Sequence, residues 1–189
     1  FIYYFSSVNG NMFIPFTETT FDTKFFIIPI VIFVLLATTN SVNLTDGLDG
    51  LAGNVTLFYL IFFTIITTIV STNLYNGGET GQILTDIQNI NVLSMLFVGA
   101  ILGFLMFNTS KASIFMGDVG SLMLGGYVGA SACLIGMELI IPILGFCFVF
   151  SAISVILQVV VFKLKKKRIF KMAPFHHHLQ ICLLYTSPS

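Results

Sequence analysis

Charge is scarce in this chain: 8% of its 189 residues are Asp, Glu, Lys or Arg, where a soluble domain carries about 25%. Hydrophobic residues make up 56%, and mean hydropathy is +0.98. So few charges cannot cover a water-soluble globule of this size, which leaves a membrane protein. Cysteine is scarce too. Of the three, Cys133 and Cys147 lie in apolar runs and Cys182 near the end, and none has the CxxC or Cys/His spacing that would support a zinc site. Phe1 is followed by no basic n-region or cleavage site, so no signal peptide is expected. Net charge is zero; the positions of the charges carry more information.

Five apolar segments are candidates for helices crossing a hydrocarbon layer ~30 Å thick: residues 25–39, 51–70, 92–107, 119–137 and 139–162. Between residues 119 and 162 the only charge is Glu138, so Gly136-Met137-Glu138 is expected to turn a tight hairpin there. Pro29 and Pro142 fall near segment starts, where a missing amide costs least. Gly99/Gly103 and Gly125/Gly129 offer small faces for close helix contact. The opening FIYYFSS reads as the end of an earlier crossing.

Counting crossings puts residues 40–51, 108–118 and 163–178 on one side of the membrane, and residues 8–24, 71–91 and Glu138 on the other. The first side holds Lys111, Lys163, Lys165, Lys166, Lys167, Arg168 and Lys171, seven of the eight basic residues; the second holds only Lys24. The positive-inside bias makes the first side cytoplasmic. Asp46, Asp49, Asp118 and all three histidines share it, whereas Glu18, Asp22, Glu79, Asp86 and Glu138 are outside.

In the first inner loop, NSVNLTDGLDGLAG, Asn40, Asn43, Asp46 and Asp49 recur every third position, with Gly47, Gly50 and Gly53 at the same interval. In a helix that interval carries the four polar residues around half the circumference, and the glycines disfavour a helix interior. A helix end and a compact glycine-rich turn are expected. Such a turn lets backbone approach a phosphate, and its carboxylates suit Mg²⁺; an ordinary polar loop with Asx-turns fits as well. The second, FNTSKASIFMGDVGSLMLGG, sets Asp118 between Gly117 and Gly120. Asp118 or Ser121 can cap the next helix, whose N-terminus favours an anion or a metal–phosphate complex. Phe115 is an interfacial aromatic or a stacking surface for a base. The third, KLKKKRIFKMAPFHHHLQ, has six cations in nine residues, which fits a stop-transfer anchor on anionic headgroups or a means of concentrating an anionic substrate. His176, His177 and His178 follow a proline, off the preceding helix, and can bind metal or donate hydrogen bonds to phosphate. Three such loops on one face suggest phosphoryl chemistry at the cytoplasmic surface.

These loops resemble those of the phospho-N-acetylmuramoyl-pentapeptide transferases, within the bacterial polyprenyl-phosphate glycosyl-1-phosphate transferase superfamily. NSVNLTDGLDGLAG, FNTSKASIFMGDVGSLMLGG and SVILQVVVFKLKKKRIFKMAPFHHH carry the resemblance, which runs from about residue 25 to 178. It implies an all-α polytopic membrane protein with about five transmembrane helices of a ten-helix fold. It also implies an Mg²⁺-dependent reaction in which undecaprenyl phosphate takes phospho-N-acetylmuramoyl-pentapeptide from UDP, giving a lipid-linked peptidoglycan precursor and UMP. Asp118 would be the Mg²⁺ ligand, with Asp46, Asp49 and His176 also catalytic. Asn40, Asn43, Asp46, Phe115, Gly117, His176, His177 and His178 would bind substrate, Phe115 by stacking on uracil. Partners would be the nucleotide sugar, the polyprenyl phosphate, membrane lipids and a second copy, with no nucleic acid, in the bacterial inner membrane.

The chain departs from the family's pattern in four places. An Asp-Asp motif of an earlier inner loop is absent, so the partial domain 1–178 is expected to be incomplete and inactive alone. Lys111 stands where proline is usual and Ser151 where glutamate is common. The tail 179–189 stops following the family and is expected to be non-native. Two rival readings are the polyprenyl-phosphate N-acetylhexosamine-1-phosphate transferases, similar around DGLDG and GD-x-GS but with a differently spaced histidine motif, and a membrane transporter or scaffold. The run RIFKMAPFHHH favours the muramoyl-pentapeptide family, and the shortage of ionisable residues inside the spans disfavours transport.

Overall fold

The computed structural model describes residues 11–13, 20–22, 26–78, 81–109 and 112–186. Its helices are α1 (Ile27–Thr45), α2 (Leu51–Asn76), α3 (Gln82–Asn108), α4 (Gly117–Leu134), the single turn α5 (Ile141–Leu144), α6 (Phe146–Lys165) and α7 (Phe175–Thr186). Two short strands, β1 (Asn11–Phe13) and β2 (Thr20–Asp22), pair antiparallel with Met12 opposite Phe21. This hairpin is an addition to the all-α expectation. The FIYYFSS segment, Glu18, Lys24, Glu79 and Lys111 lie outside the described residues.

Four helices, α1, α2, α3 and α6, are long and apolar enough to cross a membrane, and only 17–44% of each apolar window is buried in the bundle. The remainder faces outward as large side chains such as Phe33, Phe58, Leu96 and Ile156, a surface that hydrocarbon rather than water would cover. The fifth expected crossing is α4, eighteen residues rich in glycine and serine. It runs antiparallel along the whole of α1: Cys133 meets Ile27 at one end, Gly125 meets Thr38 midway, and Ser121 meets Asn43 at the other. It spans the same layer.

The expected crossings are displaced in four places, one of them α2, which runs to Asn76, six residues past its predicted end at 70. Helix α1 continues six residues past the predicted end at 39. Helix α3 begins ten residues before the predicted start at 92, because Leu84, Ile87 and Ile90 repeat at helical spacing and are buried. The predicted single run 139–162 is broken. Gly136 adopts φ +70 and turns the chain, a 3-10 turn covers Glu138–Ile140, and α5 gives way at Gly145 to α6. Pro142 sits in the first turn of α5, where its missing N–H leaves no helix bond unmade.

The core joins Val42 of α1, Tyr59, Leu60 and Phe63 of α2, Ile101 and Leu105 of α3, and Val128 and Ala132 of α4. Buried threonines in α2 return their hydroxyls to the carbonyl four residues back: Thr56 to Ala52, Thr64 to Leu60 and Thr67 to Phe63, at 2.8–2.9 Å. These three hydroxyls are thereby paired inside the apolar layer. Of the two small-residue faces, one is used. A Cβ on Gly125 would lie 2.7 Å from the Thr38 carbonyl oxygen and the Thr39 Cα, whereas one on Gly99 or Gly103 would meet nothing within 4 Å. Gly125→Leu is therefore expected to destabilise the bundle by about 1–3 kcal/mol, and Gly99→Leu to leave it unchanged. Thermal unfolding in detergent distinguishes them.

Candidate active site

The C-terminal end of α1, the N-terminal ends of α2, α4 and α7, and the end of α3 meet at one end of the bundle. Because α1 runs on to Thr45, Asn40 and Asn43 sit on its last turns, and the compact turn expected of the glycines is confined to residues 46–50. Asp46 ends the helix, its N–H donating to the Asn43 carbonyl at 3.1 Å. Gly50 adopts φ +74, the left-handed region that favours glycine, and opens α2. Its N–H donates to Asn108 Oδ1 at 2.9 Å, and Asn108 Nδ2 donates to the Ile114 carbonyl at 2.6 Å. Asn108, 4% exposed, thus ties the first inner loop to the second. In the sequence it is a lone asparagine closing an apolar run, a signal that does not point to its partners 58 residues back and 6 ahead.

A second tie joins the polar residues of the first and second loops. Asn43 Nδ2 donates to Asp118 Oδ1 at 2.9 Å and to Ser121 Oγ at 3.0 Å, joining residues 75 and 78 positions apart. Asp118 does not cap α4, and neither does Ser121. The helix begins at Gly117, two residues too early for Asp118 to cap it, its N-cap is Met116 with no side-chain bond, and the Asp118 carboxylate is drawn sideways to Asn43. Buried Ser121 also returns its hydroxyl to the Gly117 carbonyl at 3.1 Å. The first amides of α4 are left uncapped by any side chain among the described residues and available to an anion.

Asp49 is exposed and takes the Ala112 N–H on Oδ2 at 3.3 Å, so one carboxylate oxygen bridges the two loops. Asn40 does not join the cluster: its Nδ2 donates to the Leu36 carbonyl at 2.7 Å, back along its own helix. Phe115 is 73% exposed and borders an apolar cavity of about 370 Å³ between α3 and α4. Its ring face is free for stacking. Gly117, at φ +65, has nothing within 4 Å of where a Cβ would stand, so its backbone is open to approach.

The histidine triplet, expected off the preceding helix, forms the first turn of α7. It reaches the first loop at Gly47, where a Cβ would lie 2.6 Å from His177 Nε2 and closer still to His176 Nε2. The His176 and His177 rings lie 4.5 Å apart. His176 Nε2 is buried with no hydrogen-bond partner among the described residues. Burial, and then the neighbouring His177, hold His176 below the usual 6.5, so the ring is neutral at pH 7. His178 Nδ1 accepts the Lys171 N–H at 3.2 Å, which leaves the neutral ring's proton on Nε2.

Burial, and then the charge of Asp118, raise the Asp46 carboxyl above 3.8. The native state therefore holds this proton more tightly than the unfolded chain. That contribution is intact below pH 3.8 and is lost as pH rises through the folded value, leaving a fixed cost at neutral pH. Asp46→Asn is expected to raise the thermal unfolding temperature at pH 7 and not at pH 3.5, which differential scanning fluorimetry checks.

Two carboxylates with no cation offsetting them among the described residues, beside an asparagine and open helix amides, suit a divalent ion. No three His, Cys, Asp or Glu side chains among the described residues converge to hold a metal by themselves. Mg²⁺ fits this set, since it takes one or two carboxylates and fills its remaining positions with water and substrate phosphate.

A helical membrane bundle with an acidic, histidine-bordered cluster at one end is the class that fold and site define. The family model for glycosyl transferase family 4 matches residues 1–137, and the chain belongs to that family. It is 44% identical over 174 residues to the phospho-N-acetylmuramoyl-pentapeptide-transferase of Clostridium novyi, covering 92% of this chain and 49% of that protein. The protein of the same name from Acetivibrio thermocellus is 44% identical over 182 residues, with 95% and 51% covered. That of Thermoanaerobacter sp. is 43% identical over 174, with 92% and 50% covered. The chain spans about half the length of the curated relatives it matches.

Proposed function

We propose that the complete protein transfers phospho-N-acetylmuramoyl-pentapeptide from its UDP carrier to undecaprenyl phosphate, in the bacterial cytoplasmic membrane with the site on the cytoplasmic face. The observation carrying this reading is the Asn43 amide bound at once to Asp118 and Ser121, with Asp46 beside it and the histidines against Gly47. That convergence joins the three loops on which the resemblance to these transferases rests. The cytoplasmic assignment follows from the run Lys163, Lys165, Lys166, Lys167, Arg168 and Lys171 at the same end of the bundle.

In this reaction an oxygen of the lipid phosphate attacks the β-phosphorus of the nucleotide sugar. The bond from that phosphorus to the oxygen shared with the α-phosphate breaks, and UMP leaves. Two anions must approach, so their repulsion is the main obstacle. When bound, Mg²⁺ supplies positive charge to the phosphate oxygens; Asp118 and Asp46 would hold it. Asn43 fixes the Asp118 carboxylate. Gly117 admits phosphate close to backbone, while Gly47 makes room for the His176 and His177 rings. Neutral His176 presents an unpaired Nε2 to a phosphate oxygen, as donor when the proton resides there. Phe115 offers uracil a flat face, and the basic run raises the local concentration of anionic substrate.

The test uses the intact protein in nanodiscs with UDP-N-acetylmuramoyl-pentapeptide and undecaprenyl phosphate, following UMP release with and without Mg²⁺. Release that requires the metal and yields the lipid pyrophosphate supports the reading. Release only from UDP-N-acetylhexosamine, or solute flux with no UMP, overturns it.

A further inference from the structure

Between Phe146 and Phe162, α6 is apolar apart from Ser151, Ser154 and Gln158. Their spacing of three and four residues puts them on one face, and the side chains of Ser154 and Gln158 both make hydrogen bonds. Gln158 Oε1 accepts the backbone N–H groups of Ile169 at 3.1 Å and Phe170 at 3.0 Å, while its Nε2 donates to the Phe170 carbonyl at 3.2 Å. Both lone pairs of the amide oxygen are filled and one amide proton is used. Exchanging oxygen and nitrogen would set donors against donors, so the orientation is fixed. One turn earlier, Ser154 Oγ donates to the Ser151 carbonyl at 2.7 Å and accepts the Phe175 N–H at 3.1 Å. That amide is the first of α7, where a helix leaves N–H groups unsatisfied.

We propose that Gln158 and Ser154 are positioning residues that strap the segment between α6 and α7 onto α6, and so set the histidine triplet opposite the acidic turn. The two anchors hold opposite ends of the segment. Gln158 fixes residues 169–170, next to Lys171, whose N–H engages His178 Nδ1. The Phe170 ring stands edge-on to Phe175 at 5.6 Å and to His178 at 5.5 Å. Ser154 fixes the start of α7, one residue before His176. Phe150, another turn back along α6, meets Phe175 edge-on at 4.8 Å and closes the seat. Without the two polar side chains, α7 would hang from α6 by an exposed basic segment with few contacts of its own. Buried polar groups on a lipid-crossing helix are costly unless paired, and here the pairing is with the strap.

The effect on turnover rests on the transferase reading above; the effect on the strap does not. Gln158→Leu keeps most of the volume and removes all three bonds. Hydrogen exchange of the intact protein in nanodiscs is expected to speed up about tenfold at the amides of residues 169 and 170, with exchange in α1 and α4 unchanged. Modification of His176, His177 and His178 by diethyl pyrocarbonate, read by mass spectrometry, is expected to rise severalfold. In Gln158→Glu, whose carboxylate still accepts both amides, both readouts return toward wild type. kcat for UMP release is expected to fall about tenfold in Gln158→Leu with KM for the lipid unchanged, and to recover in Gln158→Glu. If Gln158→Leu does not fold, Ser154→Ala provides the same test at the amide of residue 175. Unchanged exchange and histidine modification in a folded variant overturn the strap. An altered strap in a protein that releases no UMP leaves the strap standing and removes the transferase reading.

Discussion

Asp118→Ala in the complete protein is expected to lower UMP release by about a thousandfold while leaving the fold in place. Asp118 is exposed, in the first turn of α4, and is bonded to Asn43 rather than packed in the core. Its loss forfeits one hydrogen bond and a favourable charge near a helix N-terminus, together about 1–2 kcal/mol. The loss in catalysis is larger, because in the proposed reaction the carboxylate would hold the ion that neutralises two approaching phosphates, and removing such a stabiliser commonly costs 10²–10³ in rate. Asp118→Asn separates the contributions. It keeps the size and an oxygen for Asn43 but not the charge, so it should melt like wild type and remain nearly as inactive as alanine. UMP release and thermal unfolding on the same samples check this. More than a tenth of wild-type activity in a folded Asp118→Ala protein would take Asp118 out of its assigned place.

Gly47→Val is expected to lower activity about a hundredfold with little change in unfolding temperature. The added side chain would occupy the space now taken by the imidazole nitrogens of His176 and His177. Those atoms are the free ends of side chains, so the rings can swing aside at small cost to the fold. The main chain of α7 is held from behind by Ser154 and by the ring of Phe150, so the rings yield first. Displacing a reacting group by about 1 Å can cost 10² in rate. Diethyl pyrocarbonate should react faster with His176 in the variant, since the buried Nε2 would be uncovered. Wild-type turnover in a folded Gly47→Val protein would show that the triplet does not act from this place.

The gathering of three loops at one end was legible because it needed only the number of apolar runs and the side on which the charges fall. Asn43, Asp46 and Asp118, singled out on residue type and motif, do come together. The details turned on contacts between distant segments. The apolar run 25–39 suggests a helix end at residue 39; packing of Val42 and Thr45 against neighbouring helices carries α1 one and a half turns further, and Asn40 consequently bonds to its own backbone. Asp118 between two glycines read as a cap, and nothing local showed that an amide from α1 would claim it. Asn108, Ser154 and Gln158 were unremarkable in apolar runs, because their partners lie 58, 21 and 11–12 residues away. Gly99/Gly103 and Gly125/Gly129 have the same spacing, and only the neighbouring helix decides which pair is used.

The close seam at Gly125 lies only a turn or so of α1 below Asn43, with main chain against main chain. Helices locked that tightly cannot drift apart to ease the mutual repulsion of Asp46 and Asp118. On the proposed reading, a divalent ion arriving at this rim would find both carboxylates already gathered, with no rearrangement of the bundle required.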